Sequence, residues 1–306
     1  MKYISEFEIK NFRVFDYLKL EDLGKINVFF GKNNSGKSSI LEAILLLGHD
    51  FNKLEAKDLN LGIRNLELKY LFHDLNINNQ IEIKINKEYI FNFKLRYIGD
   101  DSKGVILDIE NYGKKYLYIE SYSNILRSSV LASYSNILAL YKDIIMKRRG
   151  DLLLEFLRKF DNRIEDVQLL EKLIYFGVKN IDELLPINLM GDGIKYIFNI
   201  LVSIISGHDF VLIDEIENGL HYTAHKELWV SIMKLQEEFD FQMFITTHSL
   251  ETLKALKEVL EDEKNKEMRG EVKSINIVHT KKAGIKTYNY GFESFKEMID
   301  TETEIR

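Results

Sequence analysis

Residues 31–38 read GKNNSGKS, a complete G-x-x-x-x-G-K-S loop, and few stretches of this length restrict a fold as tightly. Such a loop needs a buried strand before it and a helix after it, so that its backbone N–H groups converge on a phosphate. Both flanks are present. Lys25-Ile26-Asn27-Val28-Phe29-Phe30 reads as a short apolar strand, and Ser39-Ile40-Leu41-Glu42-Ala43-Ile44-Leu45-Leu46-Leu47 carries apolar residues at helical spacing up to Gly48. The expected phosphate cradle is therefore Gly31, Lys32, Asn33, Asn34, Ser35, Gly36, Lys37, Ser38 and Ser39. Within it the two glycines allow the tight backbone path, Lys37 reaches the β- and γ-oxygens of a nucleoside triphosphate, and Ser38 offers its hydroxyl to Mg²⁺.

Phe210-Val211-Leu212-Ile213-Asp214-Glu215 is four apolar residues followed by two acids, as expected of a buried parallel strand ending at a nucleotide site. Asp214 is placed to hold Mg²⁺ through its water shell, and Glu215 to orient or deprotonate the attacking water. A third strand, Phe241–Thr247, ends in His248-Ser249, where a neutral imidazole would meet a γ-phosphate oxygen or the attacking water. Gly191-Asp192-Gly193 precedes an apolar helix from Ile194 to Ile205 and so presents backbone N–H groups and a positive helix end to an anion.

With 306 residues, 45% of them hydrophobic, the chain reads as one elaborated domain. Its expected lobes are 1–65 with the phosphate loop, 66–185 as a β-layer plus helical insertion, and 186–306 with the second anion surface, the acidic strand and the histidine. The absence of cysteine excludes disulfides and thiolate metal sites and fits a reducing cytoplasm. Met1 to Lys10 alternates charged and apolar residues, unlike a signal peptide. The longest apolar stretches, Ile40–Leu47 and Ile197–Ile205, fall well short of the roughly 20 residues a membrane span needs, and no membrane partner is expected. A net charge of −6 argues against a uniformly basic nucleic-acid binder, although Lys147-Arg148-Arg149 is a local basic patch.

Along the chain, residues 3–20 read as two strands divided near Asn11. Ile81–Ile85 alternates strictly, Tyr89–Tyr97 nearly so, and Val105–Ile109 and Tyr116–Ile119 are short strands, together an antiparallel β-layer. From Asn136 a helical stripe takes over, Gly150 interrupts it, and Leu152–Phe160 forms a second helix after an Asp151 cap. Past Gly191, helices alternate with buried strands as in a doubly wound core. Beyond His248 we expect a helix at Glu251–Leu260, a strand at Ile275–His279 and a short tail.

Taken in order, FEIKNFRVF, GKNNSGKSSILEAI, MGDGIKYIF, FVLIDEIENGLH, ITTHS and the closing TETEIR resemble the ATP-binding-cassette-type ATPases of the SMC, RecF and OLD group, often called AAA-family ATPases. The likeness covers nearly the whole chain. It implies an α/β fold, an ABC-type P-loop NTPase head with a mixed, largely parallel core sheet, an antiparallel β-layer and a helical insertion. It further implies ATP hydrolysis with Mg²⁺, residues 189–195 as signature loop, Glu217–His221 as the loop after the acidic strand, and His248 as switch histidine. In this family two chains pair head to tail, each completing the other's ATP site, so a homodimer or a larger ring is implied. Two departures stand out. Gly191 replaces the usual signature serine, leaving backbone N–H groups and Lys195 to meet the γ-phosphate and implying slow hydrolysis. The glutamine that senses the metal in the family has no clear counterpart, Gln80 and His73 being the residues in that stretch.

SMC-like relatives insert a long coiled coil, and this sequence has no sustained heptads. OLD-type relatives append a TOPRIM nuclease after the switch histidine, and only a short stretch follows His248 here. The leading expectation is thus a stand-alone ATPase switch that controls a separately encoded effector, such as a nuclease, in bacterial antiphage defence. Two alternatives stay open: a RecF-like repair clamp that binds duplex DNA through a basic groove including Lys147–Arg149, and the nucleotide-binding subunit of a transporter.

Overall fold

A computed structural model of the chain describes residues 3–47, 68–76, 78–98, 104–111, 125–127, 134–280 and 284–301. It opens with β1 (Phe7–Phe12) and β2 (Phe15–Leu20), antiparallel with Phe12 opposite Phe15. The turn is Arg13-Val14, two residues later than the alternation suggested. Asn11 takes φ 54° without ending its strand, a conformation that asparagine tolerates better than most residues. β3 (Ile26–Phe30) runs into the glycine loop, and α1 (Lys37–Leu47) follows it. β4 (Ile81–Ile85), β5 (Tyr89–Ile98) and β6 (Gly104–Asn111) complete a five-stranded antiparallel sheet ordered β2-β1-β4-β5-β6, the expected β-layer. The strand expected at Tyr116–Ile119 lies outside the described residues.

A short β7 (Ile125–Arg127) is followed by the helical insertion, α2 (Tyr134–Met146) and α3 (Gly150–Phe160). Here the reading of the caps needs correction. Gly150 begins α3, Arg149 stands at the cap without a side-chain capping bond, and Asp151 lies in the first turn, where its negative charge complements the positive helix end. A three-stranded antiparallel sheet of β8 (Ile164–Leu170), β9 (Leu173–Val178) and β10 (Leu185–Pro186) comes next. Most of β8 is half-buried on both faces, so it lacks the alternation that would have marked it.

The remaining chain is α4 (Asp192–Ile205), β11 (Phe210–Asp214), α5 (Tyr222–Phe239), β12 (Gln242–Thr247), α6 (Leu250–Glu261), β13 (Val272–Thr280), β14 (Gly284–Tyr290) and α7 (Phe292–Asp300). The expected short tail is thus a strand and a helix. Six strands form the central sheet in the order β14-β13-β3-β12-β11-β7, parallel from β13 to β7 with β14 antiparallel at the edge. Every residue of β3, β11 and β12 is buried, because both faces of this sheet are covered. Phe29, Leu212, Phe244 and Ile275 pack on one face with α1 and the β1–β2 hairpin. Val28, Ile213 and Ile245 pack on the other with α4, α5 and α6. The carboxyl ends of β3, β11 and β12 therefore share one edge, where a doubly wound sheet binds its ligand. Among the described residues no helix is long and apolar enough to cross a membrane.

Candidate nucleotide site

The glycines of the loop are required by what surrounds them. Gly31 has φ 137° and Gly36 φ 100°, outside the range L side chains favour. A Cβ on Gly31 would stand 2.4 Å from the Ile277 carbonyl oxygen, and one on Gly36 2.9 Å from the Phe15 ring. The loop is thus wedged between β13 and the tip of the β1–β2 hairpin. That tip is pinned to α1 by a largely buried Arg13–Glu42 ion pair of 2.8 Å. His73 and Gln80 serve the same hairpin: His73 Nδ1 lies 2.8 Å from the Arg13 carbonyl, and the Gln80 carbonyl accepts from Asn11 Nδ2 at 2.9 Å.

Lys37 is buried, and its Nζ donates to the Gly31 and Lys32 carbonyls at 2.8 Å each. Burial pushes the ammonium pKa down, while the Asp214, Glu217 and Glu215 carboxylates push it up. Ser35 Oγ is buried in the same loop without a hydrogen-bond partner among the described residues. A cation held by carbonyl oxygens, beside such a hydroxyl, suits an anionic ligand.

The acidic strand meets the loop directly. Asp214, at the end of β11, accepts from Ser38 Oγ at 2.9 Å and from Thr246 Oγ1 at 2.6 Å. Glu215 follows with φ 55°, a conformation costing a bulky residue about 1 kcal/mol or more. Its neighbours hold it there. The Glu215 N–H donates to Thr246 Oγ1 at 2.8 Å, and its carbonyl accepts from Tyr196 Oη at 3.1 Å and from the Asn218 N–H at 3.0 Å. Burial, then Glu217, Asp214 and Glu215, raise the Tyr196 pKa, so the phenol stays protonated as a donor.

His248 sits at the junction of β12 and α6, where Ser249 caps the helix by accepting from the Thr252 N–H at 3.2 Å. Glu217 Oε1 lies 2.9 Å from both the backbone nitrogen and Nδ1 of His248. A carboxylate only accepts, so Nδ1 carries the proton and Nε2 is the nitrogen left for a ligand.

Gly191 caps α4, and Gly191 and Asp192 are exposed. A Cβ on Gly193 would come 3.1 Å from the Gly219 carbonyl, so the loop after the acidic strand lies directly against this helix end. Lys195 is not free as expected: its Nζ pairs with Asp192 Oδ1 at 2.6 Å and draws the Asp192 pKa down. A cleft of about 420 Å³ opens beside Gly191, bordered by Lys159, Leu220, His221 and Glu227. Among the described residues no hydrogen bond or ion pair joins Gly191, Asp192 or Gly193 to residues 31–39. Two residues of the basic patch bond the end of α4, and Arg148 is exposed. Lys147 Nζ donates to the Ser206 carbonyl at 2.7 Å and Arg149 Nη1 to the Ile205 carbonyl at 2.8 Å, both at the negative end of α4, with the Arg149 guanidinium 4.8 Å from the Phe239 ring.

Three residues of this site escaped the sequence reading: Thr246, Tyr196, and Glu217 in its role as partner of His248. Thr246, polar and buried near the end of a strand whose centre is apolar, was a usable signal. Tyr196 and Glu217 act through contacts between distant elements and carry no local mark.

Comparison with known proteins accords with this geometry. A sequence profile described as an AAA ATPase domain matches residues 1–182, and one described as "AAA domain, putative AbiEii toxin, Type IV TA system" matches residues 138–254. An ATP/GTP phosphatase of Helicobacter pylori is 24% identical over 331 aligned positions, covering 85% of this chain and 89% of that protein. The DNA replication and repair protein RecF of Clostridium novyi is 29% identical over 138 residues, 39% of this chain and 38% of that protein. In fold, an SMC head bound to the C-terminal winged-helix domain of ScpA superposes with a TM-score of 0.64 at 17% identity, over 95% of this chain and 99% of that one. The SMC head domain of Thermotoga maritima gives 0.54 at 14% identity, over 94% and 98%. With a profile spanning more than half its length and an SMC-head fold around a phosphate loop, the chain belongs to the AAA ATPase domain family, as an ABC-type ATPase of the SMC and RecF kind that hydrolyses ATP.

Proposed function

We propose that this ATPase is a dimeric switch whose two ATP sites are each completed by the partner chain, and that it governs a separate effector protein. One observation carries the reading: a single chain has two surfaces suited to phosphate, residues 31–39 and the exposed N-terminus of α4, and among the described residues no hydrogen bond or ion pair joins them. Leu189 and Tyr222, 70% and 63% exposed beside the signature loop and the loop after the acidic strand, supply apolar surface for a second copy to cover.

In this reading the residues divide the work. Lys37 and the loop N–H groups bind and neutralise the phosphates, and Gly191, Asp192 and Gly193 close over the γ-phosphate from the other chain. Glu215 orients the attacking water and accepts its proton, and His248, fixed by Glu217, donates or accepts at the same water or at the leaving phosphoryl oxygens. Ser38 and Asp214 are hard oxygen donors that fit Mg²⁺ and would hold it. When bound, the ion would offset charge on the phosphate oxygens. Hydrolysis then releases the contacts that keep the two chains closed, which is the output of the switch.

In this reading the effector is a separate protein, which SMC-head likeness over 95% of this chain supports. The profile description naming a type IV toxin–antitoxin system supports an arrangement of two paired proteins; that the pairing serves bacterial defence with a nuclease as effector is our proposal. RecF likeness supports a second reading, in which the closed dimer binds duplex DNA.

Composite sites are tested by complementation. A side chain at Gly191 meets nothing within 4 Å, so Gly191→Glu leaves the fold intact and sets a negative charge against the γ-phosphate. Lys37→Ala and Gly191→Glu proteins should each be inactive, whereas an equal mixture should recover roughly a quarter of the parental rate, since half the dimers are mixed and each has one intact site. Absence of recovery at every ratio would reject composite sites.

A further inference from the structure

Asn276 lies on β13 opposite Phe30, the last residue of the strand that feeds the phosphate loop. Its neighbours Ile275 and Ile277 pack under α1 and the β1–β2 hairpin, so by strand alternation Asn276 takes the opposite face. It is 1% exposed, and among the described residues neither its carboxamide oxygen nor its nitrogen has a hydrogen-bond partner. Burying an amide with both groups unbonded is unfavourable, and an apolar residue of similar size would avoid it.

The position of this amide suggests its use. A Cβ on Gly31 would stand 3.1 Å from Asn276 Oδ1, so the carboxamide lies against the first glycine of the phosphate loop. β13 runs parallel to β3, and Asn276 thus belongs to the carboxyl edge of the sheet, where the ligand binds. The Gly31 and Lys32 carbonyls of that loop are held by Lys37 Nζ. When the ammonium turns toward the triphosphate, those carbonyls lose their donor, and a carboxamide, which also carries N–H donors, is already buried against Gly31.

We propose that Asn276 is a positioning residue of the phosphate loop, whose carboxamide takes over a Gly31–Lys32 carbonyl when Lys37 leaves it for the phosphates. The proposal rests on the assignment of Lys37 to the β- and γ-phosphates. Asn276 touches no substrate. Its effect falls on how tightly the loop holds nucleotide, not on the chemical step.

The test uses the full chain. Asn276→Leu should melt, without nucleotide, at or above the parental temperature, because an unbonded amide is removed. Its dissociation constant for ATP, measured by calorimetry, should rise about tenfold, the loss of roughly one hydrogen bond, and KM should rise with kcat unchanged. In the unsubstituted protein the Asn276 side-chain amide resonance, identified by its absence in Asn276→Leu, should shift and gain protection from exchange on adding a non-hydrolysable ATP analogue. Parental ATP affinity in Asn276→Leu, an amide resonance indifferent to the analogue, or a lowered melting temperature with kcat and KM changed together would each overturn the proposal. Lys37→Ala separates the two levels. If it loses ATP while Asn276→Leu does not, only the role of Asn276 fails; if it binds ATP normally, the underlying assignment fails.

Discussion

Glu215 is kept in a left-handed backbone conformation by three donors and acceptors from three separate elements, Thr246, Tyr196 and Asn218. Strain held in this way at the end of a buried strand is an investment in aiming one carboxylate. Glu215→Gln should therefore bind ATP as the parent does while its steady-state phosphate release falls by about 10²–10⁴-fold, the usual worth of a general base. Glu217→Ala removes both bonds to His248 and should cost about 10–100-fold in kcat with ATP affinity nearly unchanged, in line with hydrogen bonds to a charged group. A parental kcat in Glu217→Ala would mean that His248 needs no fixing. At this scale Gly31 to Ser38, Asp214 and Glu215 were legible as neighbours, because a phosphate loop and a buried strand ending in acids share one edge of such a sheet. Thr246, Tyr196 and Glu217 were not, since each serves a side chain or backbone group far away in sequence and the fold alone brings them together.

Among the secondary elements, α4 shows how a charge run can mislead. Lys147 and Arg149 look like a nucleic-acid patch in sequence, yet they bond the carbonyls at the C-terminal end of α4, which would otherwise be left without donors. Arg149→Ala should lower stability by about 1 kcal/mol, seen as a fall of roughly 2–4 °C in melting temperature. An unchanged melting temperature together with weakened, salt-dependent DNA binding would return the residue to the DNA-clamp reading. The elements of the central sheet were readable because β3, β11 and β12 are buried throughout and therefore mostly apolar, their polar residues being Asn27, Asp214, Gln242, Thr246 and Thr247. Those at its margins were harder. β14 pairs along one side only and keeps a mostly exposed or half-exposed surface, so it carries little hydrophobic pattern, and α7 follows it through Gly291 with no side-chain cap.

Across the whole molecule, the fold sets the phosphate loop, acidic strand and histidine on one edge of the sheet and turns the N-terminus of α4 outward. Sequence order alone pointed to both segments. That no hydrogen bond or ion pair joins them among the described residues could be seen only in the folded chain. One contact bears on how the two halves of an assembly would communicate: Tyr196 belongs to the helix whose N-terminus faces outward, and its hydroxyl grips the Glu215 carbonyl from within. A neighbour's nucleotide pressing on α4 would then be felt at this chain's own water-activating group. Velocity plotted against ATP concentration should be sigmoid for the parent and hyperbolic for Tyr196→Phe, so cooperativity would reside in a single phenolic hydrogen bond.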